Sequence, residues 1–92
     1  MNKDEAARIT AEGLVIIGTV GKDVSIETDR ERVMAVYRVP GGAKFFYSDQ
    51  KDLRTEDFVT GTHIVLDGSV HRIAAMNCTK EEAETKKAEI VQ

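Results

Sequence analysis

Apolar and polar positions alternate with a period of two through much of residues 14–76, the spacing of strands that bury one face and solvate the other. The alternation is clearest over residues 30–48, RERVMAVYRVPGGAKFFYS. Folding this stretch about a three-residue Pro40-Gly41-Gly42 loop opposes Val39 to Ala43. It gathers Val33, Ala35, Tyr37, Val39, Ala43, Phe45 and Tyr47 on a face that suits a core. The other face then carries Arg32, Met34, Val36, Arg38, Lys44, Phe46 and Ser48, a mixture of cations, apolar side chains and a phenyl ring. A two-residue Gly41-Gly42 turn would slip the register by one, set Arg38 opposite Phe45 and force the mixed face against the core. Arginines buried without partners are strongly destabilising, so the longer loop is the expected one.

Around this hairpin the chain divides into three parts. Residues 1–13 predict a short helix, with Asn2 and Glu5 in capping-box spacing and Gly13 as its stop. Residues 14–76 predict a barrel core. LVIIGTVG (14–21) is dense in β-branched residues, and Gly18 and Gly21 mark a bend or a close backbone approach. Val24 and Ile26 alternate with Ser25 and Glu27 before a turn at residues 28–31. In SDQKDLRTEDFV (48–59), a helical turn would let Leu53 and Phe58 plug a barrel end. THIVLDGSVHRIAAM (62–76) resumes the β pattern; its Asp67-Gly68 reads as a tight hairpin turn or as a bulge in one bent strand. Residues 79–91 predict a charged helix with Thr79 and Glu82 as a capping box, standing largely in water or against another subunit. The expected fold is mainly β: one domain over residues 1–92, a small antiparallel barrel of five or six strands, with short N-terminal and C-terminal helices.

Composition sharpens this picture at three points. At 92 residues and 41% hydrophobic content there is room for one core. The net charge of −3 argues against a protein that coats duplex DNA by charge alone, yet residues 30–48 set Arg30, Arg32, Arg38 and Lys44 against Glu31 only, a local net charge of +3. A lone Cys78 forms no internal disulfide, and no run has the length of a signal peptide core or a membrane span, so the expectation is a cytoplasmic protein with no membrane partner.

Order along the chain carries a resemblance. LVIIGTVGKD (14–23) looks like an apolar opening strand followed by a glycine and an acidic turn. An aromatic-bearing strand at Phe45 and Tyr47, a short helical stretch from Leu53 to Phe58, and GTHIVLDG (61–68) follow in sequence. In this order the segments resemble the oligonucleotide-binding (OB) fold of bacterial single-stranded-DNA-binding proteins, over residues 14–73. The resemblance implies an open barrel that binds single strands and often assembles into homo-oligomers. The family's usual binding-face tryptophan is missing here, and where relatives carry a flexible acidic tail this sequence has a Lys- and Glu-rich helix.

The chemistry of the mixed hairpin face points the same way. A base stacks on Phe46, with Tyr37 or Tyr47 contributing if the register differs, while Arg32, Arg38 and Lys44 neutralise phosphates; the expected ligand is single-stranded DNA or RNA. The same residue types also suit a protein-interaction surface, as in a small phage or mobile-element accessory or inhibitor protein. No enzyme is expected, since no acid–base pair, cofactor loop or nucleophile with its base stands out. No metal or cofactor is expected either. His63 and His71, with Asp67 near the turn, make a poor ligand set, and Cys78 has no neighbouring base.

Overall fold

VIIGT and HIVLD, apolar at nearly every position, pair with one another and have both faces covered. In the computed structural model, which describes residues 2–3 and 14–92, they form β1 (Val15–Thr19) and β5 (His63–Asp67). Ile64, Val65 and Leu66 are all fully buried although neighbours in a strand point to opposite sides. A strand covered on both faces loses its alternation, which is why these runs read as continuous.

The other elements are β2 (Val24–Asp29), β3 (Arg32–Val39), β4 (Gly42–Tyr47), a 3-10 turn (Thr55–Asp57), β6 (Arg72–Cys78) and α1 (Lys80–Val91). The strands form one six-stranded sheet in the order β1-β5-β6-β4-β3-β2. It is mixed rather than wholly antiparallel as expected: β4 runs parallel to β6, joined at Tyr47 and Arg72. The outermost strands are not paired along their lengths, and a lone bridge between Val20 and Val24 links the segments they belong to. A Cβ at Gly18 would collide with the Val24 side chain, so the close approach expected of that glycine is present. The turn between β1 and β2 is tied by the Thr19 amide, which donates to Asp23 Oδ1 at 2.6 Å.

One apolar cluster draws on every strand. Val24, Val33, Ala35, Phe46, Ile64 and Leu66 are its buried centre, with Ile16, Ile73 and Met76 packed against it. Leu53 and Phe58 reach this cluster from beside the 3-10 turn, as the sequence predicts. Asn77 holds that turn to β6: its Nδ2 donates to the Asp57 carbonyl at 2.8 Å and its Oδ1 accepts from the Val59 amide at 2.9 Å.

A second cluster, Val15, Val65 and Ala83 with Ile17, Ala75, Ile90 and Val91, lies under α1. The C-terminal helix therefore packs on β1, β5 and β6 of its own chain. Its capping box is as expected: the Glu82 amide donates to Thr79 Oγ1 at 3.1 Å, and the Thr79 amide to Glu82 Oε1 at 2.9 Å. The predicted N-terminal helix, with its Asn2/Glu5 cap and Gly13 stop, lies outside the described residues except for residues 2–3.

Two turns differ from expectation. Val39 pairs with Gly42, so β3 and β4 join through a two-residue Pro40-Gly41 turn and not a three-residue loop. Proline fits the first central position of a type II turn and glycine the second, where φ is positive; Gly41 has φ +82°. Asp67 opens a hairpin whose far strand begins only at Arg72. Asp67 Oδ1 accepts from the Ser69 amide at 3.0 Å and the Ser69 hydroxyl at 2.6 Å, a local side-chain turn that replaces the expected two-residue one. The β5–β6 ladder is also bulged, at two places between His63 and Leu66.

Candidate functional site

The one-residue change at the Pro40-Gly41 turn reassigns the faces of β4 and leaves those of β3 as expected. Residues paired across an antiparallel ladder share a face. Ala35 faces Phe46 and Tyr37 faces Lys44, on the core side with Val24 and Ile26 of β2. Met34 faces Tyr47, Val36 faces Phe45 and Arg38 faces Ala43, on the outer side.

Phe46, expected to stack a base, is therefore enclosed in the core with 0% of its surface exposed. Phe45, expected in the core, is 47% exposed on the outer face. Tyr37 packs against the core cluster, which corrects its assignment to the binding face. Lys44 shares the inner side with Phe46 but is exposed, and it lines a groove beside β4. Arg32 and Arg38 are exposed on the outer face as expected, with Tyr47 half-buried on the same face.

The outer side of β3 and β4 thus carries Arg32, Met34, Val36, Arg38, Phe45 and Tyr47, of which Arg32, Arg38 and Phe45 are exposed, Met34 and Tyr47 half-buried and Val36 buried at 4% exposure. The Arg32 guanidinium carbon stands 4.4 Å from the centre of the Tyr47 ring. That is cation–π range, and it holds a planar cation on the aromatic surface. Arg38 makes no ion pair among the described residues. On one flank, β2 presents Glu27 and Asp29 to the same side, with Asp29 opposite Arg32. On the other, Arg72 Nη1 pairs with Asp49 Oδ2 at 2.6 Å. The acids confine the free positive charge to a strip along β3.

Phe45 could have been found in the sequence. Val39-Pro40-Gly41-Gly42 carries proline and glycine at the two central positions that a type II turn selects. Reading Gly41-Gly42 as the only two-residue alternative hid that signal. The one-residue slip turns β4 over while both arginines of β3 keep facing outward, so it buries neither.

Elsewhere the candidate chemistry disperses. His63 begins β5, at the other end of the strand from Asp67 and roughly 13 Å away at about 3.3 Å per residue, with its Nδ1 3.4 Å from Thr19 Oγ1. His71 lies in the β5–β6 loop, its ring 6.3 Å from that of Phe46. Burial, followed by the nearby Glu82 carboxylate, pushes the Cys78 thiol above its ordinary range. A nucleophile needs the opposite shift. The hydrogen bonds from Thr79 hold the Glu82 carboxyl below the usual value, a consequence of its place in the helix cap. No helix among the described residues is long and apolar enough to cross a membrane. Comparison of the chain with protein-family models, curated proteins and solved structures returns no match.

Proposed function

We propose that this protein is a non-enzymatic, small open barrel of the oligonucleotide-binding type that holds single-stranded DNA or RNA on the outer face of β3 and β4. The observation that carries the reading is the common outward face of Arg32, Arg38, Phe45 and Tyr47. Phe45 offers a ring to one base. The Arg32 guanidinium, held over the Tyr47 ring, offers a second planar surface. Arg38 then meets a phosphate without first breaking an ion pair, and Lys44 extends the positive charge around the edge of β4.

Barrel closure is supported by the core. A flat sheet of six strands is roughly 24 Å across at about 4.8 Å per strand, too wide for its outermost strands to touch. Gly18 of β1 nevertheless lies so close to β2 that a Cβ there would collide with the Val24 side chain, and a bridge joins Val20 to Val24. If β1 and β2 are two halves of one bent first strand, the sheet order returns on itself as a five-stranded, partly open ring. OB barrels take that form, and they bind across their second and third strands, here β3 and β4.

Two neighbouring phenylalanines separate this reading from an ordinary half-solvated sheet. Phe45→Ala should weaken binding of a labelled single-stranded oligonucleotide by about 1–3 kcal/mol in fluorescence anisotropy, with little change in the urea midpoint. Equal affinity in Phe45→Ala and the unaltered protein would remove the base-stacking role.

A further inference from the structure

Among the described residues, the edge of β4 that faces away from β3 is paired only at Tyr47. The Tyr47 amide donates to the His71 carbonyl at 2.9 Å, so Tyr47 directs its backbone groups away from β3. By the alternation of an antiparallel strand, Ala43 and Phe45 do the same, while Gly42, Lys44 and Phe46 bond to β3. The pairing of β4 with β6 stops at Tyr47 and Arg72. Among the described residues, no main-chain bond reaches the outward amides and carbonyls of Ala43 and Phe45. Beside them runs a groove of about 670 Å³, lined also by Leu14, Ile16 and His71. Of the four large apolar side chains exposed among the described residues, Leu14 and Phe45 line this groove, and Val70 sits in the loop between its lining residues Gly68 and His71. An open strand edge beside apolar surface is the geometry that accepts an added strand.

We propose that this edge of β4 receives an extended segment of another protein in which apolar residues alternate with carboxylates. Alternation follows from the strand: one side of the added segment meets Phe45 and Ala43, the other meets Lys44. Lys44 is the one lysine or arginine among the described lining residues, and no carboxylate lines the groove, so the charged positions of the partner are acidic.

A second copy of this chain fits poorly. Antiparallel self-pairing centred on Lys44 puts like charges directly opposite one another. Centred on Phe45, it needs the Tyr47 amide that the His71 carbonyl already holds. Centred on Ala43, it sets Phe45 against Gly41, which is in the turn with φ +82°.

The test uses the whole chain and two capped hexapeptides, one alternating valine with aspartate and one alternating valine with lysine. In the free protein the amides of Ala43 and Phe45 should exchange with solvent faster than those of Lys44 and Phe46. The valine–aspartate peptide should slow the exchange of Ala43 and Phe45. Lys44→Glu should weaken that peptide about tenfold and favour the lysine peptide instead. Unchanged exchange at saturating valine–aspartate peptide would overturn the proposal, as would an unaltered preference in Lys44→Glu. Protection of Ala43 and Phe45 that grows with protein concentration in the absence of peptide would also overturn it, assigning the edge to a second copy. Arg38→Ala should weaken oligonucleotide binding and leave peptide binding intact, so the edge site and the nucleic-acid face can fail separately.

Discussion

Phe45 and Phe46 are chemically identical neighbours with opposite roles, set by which side of one strand each occupies. Phe46 is enclosed among Ala35, Val33 and Leu66 in the main cluster. Phe46→Ala should therefore destabilise the fold by about 3–5 kcal/mol, read as a fall in the urea midpoint. The same change at Phe45 should act on binding and hardly on stability. If Phe45→Ala unfolded the protein as readily as Phe46→Ala, the register of β4 assigned here would be wrong. Arg32 and Arg38 were legible as outward residues because the alternation within β3 does not depend on the turn. Phe45, Phe46 and Lys44 were harder to place, because which face of β4 a residue occupies does depend on it.

At the scale of elements, the capping signals were the most legible, since a cap is a local hydrogen-bonding arrangement independent of tertiary packing. Thr79 and Glu82 bond reciprocally, as their spacing predicts. Thr79→Ala should cost about 0.5–2 kcal/mol of stability, measurable by denaturant titration. The hydrogen bonds from Thr79 depress the Glu82 pKa in the folded state. A depressed carboxylate contributes stability above its unfolded pKa, about 4.3, and loses it as pH falls through the lower folded value. The stability difference between the unaltered protein and Glu82→Gln should therefore persist at neutral pH and close on acidification. A difference that widened on acidification would contradict that sign. Less legible was where α1 docks. Its apolar residues are sparse, and the surface that accepts Ala83, Ile90 and Val91 comes from β1, β5 and β6, distant in sequence. The β5–β6 connection was half legible: Asp67 does begin a turn, but its side chain bonds Ser69 and the second strand waits until Arg72.

The whole molecule joins an acidic chain to a locally basic, aromatic sheet face. The mainly β class follows from period-two alternation, which local sequence carries. The parallel β4–β6 contact and the cluster shared by all six strands depend on long-range packing, which no window of the sequence displays. Because Glu27 and Asp29 border the cationic strip, binding should rest on few phosphate contacts and on stacking, with a shallow salt dependence. Removing the Arg38 cation should lower the salt slope by roughly 0.7, the share of one phosphate on a single strand. The most direct measurement is the fluorescence anisotropy of a labelled single-stranded oligonucleotide titrated with the protein at low and at physiological salt. Binding that is strongest at low salt, prefers single strands over duplex and weakens in Phe45→Ala is the predicted result. No binding at low salt would contradict the account.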